Sequence, residues 1–84
     1  MFTAYALQSI HKNYIYKGFT SNLKDRFKRH NEGREKTTAH YRPFKIIYTK
    51  EFSNRKNARD HEKWLKSSAS REFLKQISTK LKLL

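Results

Sequence analysis

The stretch from Asn13 to Asn31, NYIYKGFTSNLKDRFKRHN, sets the terms for the rest of the chain. It reads as a strand, a glycine break and then a helix whose apolar stripe carries charge. On that helix Leu23, Arg26, Phe27 and His30 follow the i, i+3, i+4, i+7 pattern of a single face. Two of the four are cationic or titratable, and a buried guanidinium without a partner is costly. Arg26 must therefore stay wet or be paired. The simplest arrangement is a cleft at the helix edge, beside Tyr14 and Tyr16 of the strand, where an anion can enter.

The flanking segments supply a body for this element. Phe2 to Gln8 alternates, with Tyr5 and Leu7 on one face and Phe2, Ala4 and Ala6 on the other, and reads as a strand. His11, Lys12 and Asn13 form a polar turn, and Tyr14 to Phe19 returns as the second arm of an antiparallel hairpin. Tyr14 and Tyr16 share one face of that arm; Ile15, Lys17 and Phe19 share the other. Gly18 sits at its end, where a missing side chain lets another group approach the backbone. Thr20, Ser21 and Asn22 are successive N-cap candidates for a helix from about Leu23 to Glu32, stopped by Gly33. Arg34 to Arg42 has no period and reads as an exposed basic loop.

Pro43 opens a third strand, Phe44 to Glu51, in which Phe44, Ile46 and Tyr48 alternate against Lys45, Ile47 and Thr49. Ser53 or Asn54 caps a second helix, Arg55 to Lys66, with Ala58, Glu62 and Leu65 on one stripe. After a link at Ser67 to Ser70, Ser70 caps a third helix, Arg71 to about Lys82, with Phe73, Leu74, Ile77 and Leu81 inward. The order ββαβαα predicts an α+β fold: a small three-stranded antiparallel sheet flanked by three helices.

Composition narrows the class. Eighty-four residues allow one domain, residues 1–84, with a thin core that buries roughly 60 to 65% of the chain's surface. The absence of cysteine excludes disulfides and thiolate metal sites. MFTAYALQSI is too short for a signal peptide, and no apolar run approaches the roughly 18 residues that span a bilayer, so a cytoplasmic protein is expected. Twenty Lys and Arg against seven Asp and Glu give a formal charge of +13, which repels itself unless a polyanion neutralises it. The basic residues are spread over every segment rather than gathered on one amphipathic helix. Nucleic acid is thus favoured over a membrane surface as the partner.

Three features then coincide: tyrosines on paired strands, an Arg with a His one turn on, and a Glu set in the stripe of another helix. Cutting a phosphodiester needs parts of these kinds, to take a proton from water, offset charge on the phosphoryl oxygens and stabilise the departing oxygen. A lone carboxylate such as Glu62 suits one Mg²⁺ or Mn²⁺ ion that keeps most of its waters. Arg26 fits the charge-offset role, as a fork that stays protonated at any working pH. A tyrosine is a poor base at its reference pKa of about 10, but neighbouring cations lower it. His11, His40 and His61 lack zinc spacing and are expected at the surface.

In this order the residues resemble the GIY-YIG nuclease family, most of all its small stand-alone bacterial members and the N-terminal nuclease domain of the excision-repair incision subunit. Tyr5-Ala6-Leu7 stands for the first signature and Tyr16-Lys17-Gly18 for the second. Leu23, Arg26 and His30 match the helix that follows, and Asn31 and Gly33 its end. Pro43-Phe44 and then Ala58, Glu62, Leu65 and Lys66 complete a match over about residues 2 to 75. Thr3 and Ala4 replace the glycine and isoleucine of the first signature, Lys17 replaces the usual apolar residue, and the family's late Asn has no mapped counterpart.

The resemblance implies a metal-dependent DNA endonuclease, with Glu62 holding the ion, Arg26 on the phosphate, and Tyr5 and Tyr16 flanking the attacking water. Tyr5 is the favoured base, and His30 holds a phosphate or relays a proton. Lys17, Lys28, Arg29, Arg34, Lys36, His40, Tyr41 and Arg42 are candidate nucleic-acid contacts, with Tyr41 a base-stacking residue of the basic loop. Glu62 could instead merely pair with Lys66 one turn on. DNA is the expected partner, with RNA an alternative. No dedicated sequence-reading module is evident, so specificity must come from substrate shape or a protein partner, on a monomer or weak homodimer. The rival reading is a nucleic-acid-binding module of the same fold that cuts poorly.

Overall fold

Alternation along β1 (Phe2–Ser9) creates two unlike faces, and the rest of the fold is sorted by them. In this computed structural model, which describes residues 1–83 and side chains as far as Lys80, β1 is the central strand of an antiparallel sheet ordered β2-β1-β3. The other strands are β2 (Ile15–Thr20) and β3 (Phe44–Phe52). Tyr5 and Leu7 join Phe44, Tyr14, Tyr16, Leu23, Phe27 and Tyr41 on the face covered by α1 (Leu23–Asn31). Ala4 and Ala6 point the other way, where small side chains let Leu65 of α2 (Arg55–Lys66) and Leu74 of α3 (Arg71–Leu83) pack closely on the sheet. The α+β order ββαβαα and the three-stranded sheet thus follow the sequence pattern.

Helix starts follow side-chain chemistry. Asn22 is the cap of α1, its Oδ1 accepting the Asp25 N–H at 3.1 Å, and Asn54 does the same for Asn57 at 2.9 Å on α2. Ser70 was expected to cap α3, but its hydroxyl is buried and donates to the carbonyls of Leu65 (2.7 Å) and Ser67 (3.1 Å). It closes the C-terminal end of α2 instead of opening α3, because the last helical carbonyls also need donors. At the end of α1, Gly33 adopts φ +77°, the left-handed conformation that stops a helix.

Two expectations about packing need correction. The alternation of β3 breaks at a bulge: Leu7 pairs with Ile46, but Ala6 pairs with Tyr48, so Ile47 is an extra residue. Past it the parity reverses, and Ile47 and Tyr48 belong to the core beneath α2 and α3 while Phe44 stays on the α1 face. Phe73, expected inward, is 38% exposed, its ring edge-on to Tyr48; Leu74 and Ile77 do face the core. The expectation for Leu81 lies outside the described side chains. Among the described residues no helix is long and apolar enough to cross a membrane.

Asn31 ties α1 to β3. Its Oδ1 accepts the Phe44 N–H at 2.6 Å, and its Nδ2 donates to the Phe44 carbonyl at 3.5 Å. Asn31→Ala strands that backbone donor beside a buried Phe44 ring, so it should lower unfolding stability by about 1–3 kcal/mol in urea denaturation. An unchanged midpoint would remove Asn31 from the account of the fold.

Candidate active site

Tyr5, Tyr16, Arg26 and His30 meet on the α1 face of the sheet. The sequence puts them there through two periods: residues 5 and 16 project from the same side of paired strands, and residues 26 and 30 lie one turn apart on the helix that covers them. The Tyr5 and Tyr16 rings are 6.2 Å apart between centroids, and the His30 ring lies 4.7 Å from Tyr16. Gly18 makes this crowding feasible. A Cβ there would come within 2.8 Å of the Tyr5 hydroxyl and 3.0 Å of the Tyr16 ring, too close for any larger residue without displacing a phenol.

A hydrogen-bond chain orients His30. Thr38 Oγ1 lies 2.8 Å from His30 Nδ1 and 3.3 Å from the Glu35 carbonyl. His30 Nε2 lies 3.4 Å from the Tyr5 hydroxyl, so the imidazole bridges Tyr5 and Thr38 through its two ring nitrogens. Burial holds the His30 pKa below its ordinary 6.5, and the positive charge of Arg26 pushes the same way. Burial and the neighbouring Tyr16 push the Tyr5 phenol up to about 12, with Arg26 only partly offsetting them. Desolvation outweighs the nearby cations at Tyr5. Tyr5 is wholly buried while Tyr16 is partly exposed, so Tyr16 is the phenol that water can reach.

The segment after α1 also differs from an exposed basic loop. Thr38 is fully buried, Ala39–Tyr41 forms a turn of 3₁₀ helix, and Glu35 folds back onto α1. The Glu35 carboxylate lies 3.5 Å from Arg26 and 3.3 Å from Arg29. Among the described residues Arg26 Nε, Arg29 Nε and Glu35 Oε1 are buried without a hydrogen-bond partner, so the ion pairs are loose ones. Thr38 and Glu35 were not singled out from sequence. The one available signal was that Glu35 is the sole acid in REKTTAHYR, directly after a helix bearing two arginines on neighbouring turns.

The remaining candidates scatter. Tyr41 does not project from a loop: it stacks on Tyr14 at 3.9 Å, and its carbonyl accepts from Ser9. His40 is exposed and contacts Lys12 at 2.6 Å. Arg34 pairs with Glu32, Arg42 donates to the Ala39 carbonyl, and Lys28 and Lys36 are exposed. Lys17 faces the opposite side of the sheet, toward α2 and α3. His61, expected at the surface, is partly buried and bonded to Tyr48 at 2.8 Å.

Glu62 is buried, as its stripe demanded, and ion-paired with Lys66 at 2.6 Å. Its helix covers the Ala4/Ala6 face, and among the described residues no hydrogen bond or ion pair joins Glu62 to Tyr5, Tyr16, Arg26 or His30. Nor do the described residues include any group of three or more His, Cys, Asp or Glu able to hold a metal. A cation needing an all-protein cage does not fit the described residues. One that keeps most of its waters fits a single carboxylate, provided the Lys66 amine, on a half-exposed side chain, swings aside.

Comparison with known proteins bears on the family and the fold. The GIY-YIG catalytic domain profile matches residues 1–75. A UPF0213 protein of Clostridium perfringens is 36% identical over 67 residues, covering 79% of this chain and 72% of the relative. Another, from Oceanobacillus iheyensis, is 36% identical over 64 residues, covering 75% of this chain and 74% of the relative. The solution structure of a UPF0213 protein from Bacillus halodurans superposes with a TM-score of 0.52 at 25% identity, covering 92% of this chain and 85% of that one.

The lowered His30 pKa has a consequence for stability. As pH falls the unfolded chain takes up this proton first, so the contribution is present in full above the ordinary value of 6.5 and is lost as pH drops through the folded-state value. His61, also held low by burial and by Lys50, acts in the same direction. The unfolding midpoint should fall between pH 7 and pH 5. Imidazole ¹⁵N spectra should show His30 titrating below 6.5, and titration above that value would mean that the ring is not buried between Tyr5 and Thr38.

Proposed function

The chain belongs to the GIY-YIG family, and from that premise we propose that it is a divalent-metal-dependent endonuclease domain hydrolysing DNA phosphodiester bonds, directed by DNA structure or only weakly by sequence, in repair or recombination. The observation that carries the reading is the pair of guanidiniums, Arg26 and Arg29, converging on the Glu35 carboxylate with Nε donors unused, Arg26 lying beside Tyr5 and Tyr16. A phosphate diester accepts from such donors better than a carboxylate held at 3.3–3.5 Å does. Glu35 then serves as a stand-in anion that the substrate displaces.

Each residue has a definite task in this reading. Arg26, with Arg29, holds the scissile phosphate and offsets charge as it builds on the phosphoryl oxygens. Tyr16 orders the attacking water through its phenol oxygen, and in its phenolate form takes the proton that the water gives up. Tyr5 and His30 form a buried support that fixes Tyr16 and α1, with His30 neutral at physiological pH. Glu62 is the residue that would hold Mg²⁺ or Mn²⁺, and the ion would supply Lewis acidity, lowering the pKa of a bound water and offsetting negative charge. Lys66 keeps that carboxylate neutralised otherwise.

A second reading, a nucleic-acid-binding module that cuts poorly, is favoured by one observation: Glu62 makes its ion pair with Lys66 and none with the phenol cluster. Cleavage assays on nicked, flap and branched DNA with Mg²⁺ or Mn²⁺ separate the two. The nuclease reading expects cutting that needs the ion. Arg26→Ala and Glu62→Ala should each cost about 10²–10³-fold, and Tyr16→Phe should cost more than Tyr5→Phe. Cutting that survives both alanine substitutions would indict a contaminant, and binding without cutting would establish the module.

Glu35→Gln offers an independent check. Removing the competing charge should tighten binding of short duplex DNA about two- to fivefold at low salt, measured by fluorescence anisotropy. Unchanged or weaker binding would mean that DNA does not take the place of Glu35.

A further inference from the structure

On the face of the sheet away from the phenols, β2, the end of α2 and α3 enclose a cavity of about 410 Å³, within the roughly 300–1,000 Å³ range of small-ligand sites. Its floor is apolar, from Ile15, Leu65 and Leu74. Its rim is cationic, with Lys17, Lys66, Arg71 and Lys75 from three different elements, and no acid lines it among the described residues. Glu62 neutralises Lys66 at 2.6 Å, but no ion pair among the described residues joins an acid to Lys17, Arg71 or Lys75. Burial holds the Lys17 amine below its ordinary pKa, and Lys66 and Arg71 push it further down. Uncompensated like charges around a partly buried amine are unfavourable for the chain alone and favourable for an incoming anion.

We propose that this cavity binds a nucleoside phosphomonoester, its phosphate held by Lys17, Arg71 and Lys75 and its base or sugar lying on Ile15, Leu65 and Leu74. The chemistry suits a phosphomonoester better than inorganic phosphate, because the volume exceeds what a single phosphate fills and the floor offers nothing to an ion. It also suits a terminal phosphate better than a diester. A phosphomonoester approaches two negative charges near neutral pH, which answers three unpaired cations more fully than one charge does. Two sources share this chemistry: the 5′-phosphorylated end of a nucleic-acid strand and a free mononucleotide. The inference goes beyond the proposed function and does not require that the domain cut anything.

The test is a metal-free NMR titration of the full ¹⁵N-labelled chain with thymidine 5′-monophosphate, thymidine, inorganic phosphate, and short oligothymidylates bearing either a 5′-phosphate or a 5′-hydroxyl. Saturable shifts at Ile15, Lys17, Arg71 and Leu74 are expected with thymidine 5′-monophosphate and the phosphorylated strand. Inorganic phosphate should bind the same residues more weakly, and thymidine not at all. Tighter binding of the strand identifies the strand end as the source, and tighter binding of the nucleotide identifies the free monomer.

Lys17→Gln and Arg71→Gln should each weaken binding about tenfold, and Lys56→Gln, an exposed charge elsewhere on α2, should leave it unchanged. Lys75→Gln, at an exposed position on α3, carries the same expectation as the first two with little risk to folding. Equal binding of the 5′-hydroxyl strand at these residues, shifts spread over α1 and the segment after it, or full affinity in all three cavity variants would overturn the proposal.

Discussion

A buried line of three side chains holds the phenol face together: Tyr5 on the central strand, His30 on α1 and Thr38 in the segment beyond it. Each link fixes the next. Thr38 reaches both the Glu35 carbonyl and His30 Nδ1, and His30 Nε2 reaches the Tyr5 phenol. The geometric result is larger than the bonds themselves. By pinning Thr38, the line folds the segment after α1 back on the helix, and that fold brings the Glu35 carboxylate onto Arg26 and Arg29. The guanidiniums are thereby held at one place on the surface instead of sampling solvent. Gly18 is the other half of the same constraint, since the space that a Cβ would fill is taken by the Tyr5 hydroxyl.

Features governed by local chemistry were legible in the sequence. Asn22 and Asn54 cap because their short amides reach the third backbone N–H of a helix, and the two-residue period of β1 assigned Tyr5 and Ala4 to opposite faces. Features that depend on a partner far along the chain were not. The bulge at Ile47 has no glycine or proline to announce it, and it shows only once Leu7 and Ala6 are paired to β3. Ser70 looks like a cap because its type and position fit one, and only the nearby carbonyl of Leu65 reveals it as a donor. The site divides in the same way. Helical and strand spacing brought Tyr5, Tyr16, Arg26 and His30 together, whereas Glu35 entered through a turn without periodicity, and Tyr41 was lost to a stack on Tyr14.

With a formal charge of +13 the chain has few acids to spend. Two of the seven stand against cations that matter to the candidate chemistry: Glu35 against Arg26 and Arg29, and Glu62 against Lys66. The Glu35 pairs, long and partly exposed, contribute little to stability. Their effect is to keep short-range repulsion tolerable without a polyanion while giving way readily to one. Phosphate competes well for a guanidinium, since a planar fork binds it through two parallel bonds. The same pairs that steady the free protein are thus the ones a nucleic acid can exchange most easily.

Lys17 shows how the two faces of the sheet are connected. It stands between Tyr16 and Gly18, where the resemblance leads one to expect an apolar residue, and strand alternation turns it away from the phenols into the cavity beneath α2 and α3. An apolar residue there would extend the floor made by Ile15, Leu65 and Leu74; a lysine puts charge in the wall. That charge faces Lys66, which is also the partner of Glu62. An anion bound among these cations attracts the Lys66 amine toward itself and weakens its hold on the carboxylate. Lys66 thus links the Glu62 carboxylate to whatever occupies the cavity beside it, on the same side of the sheet.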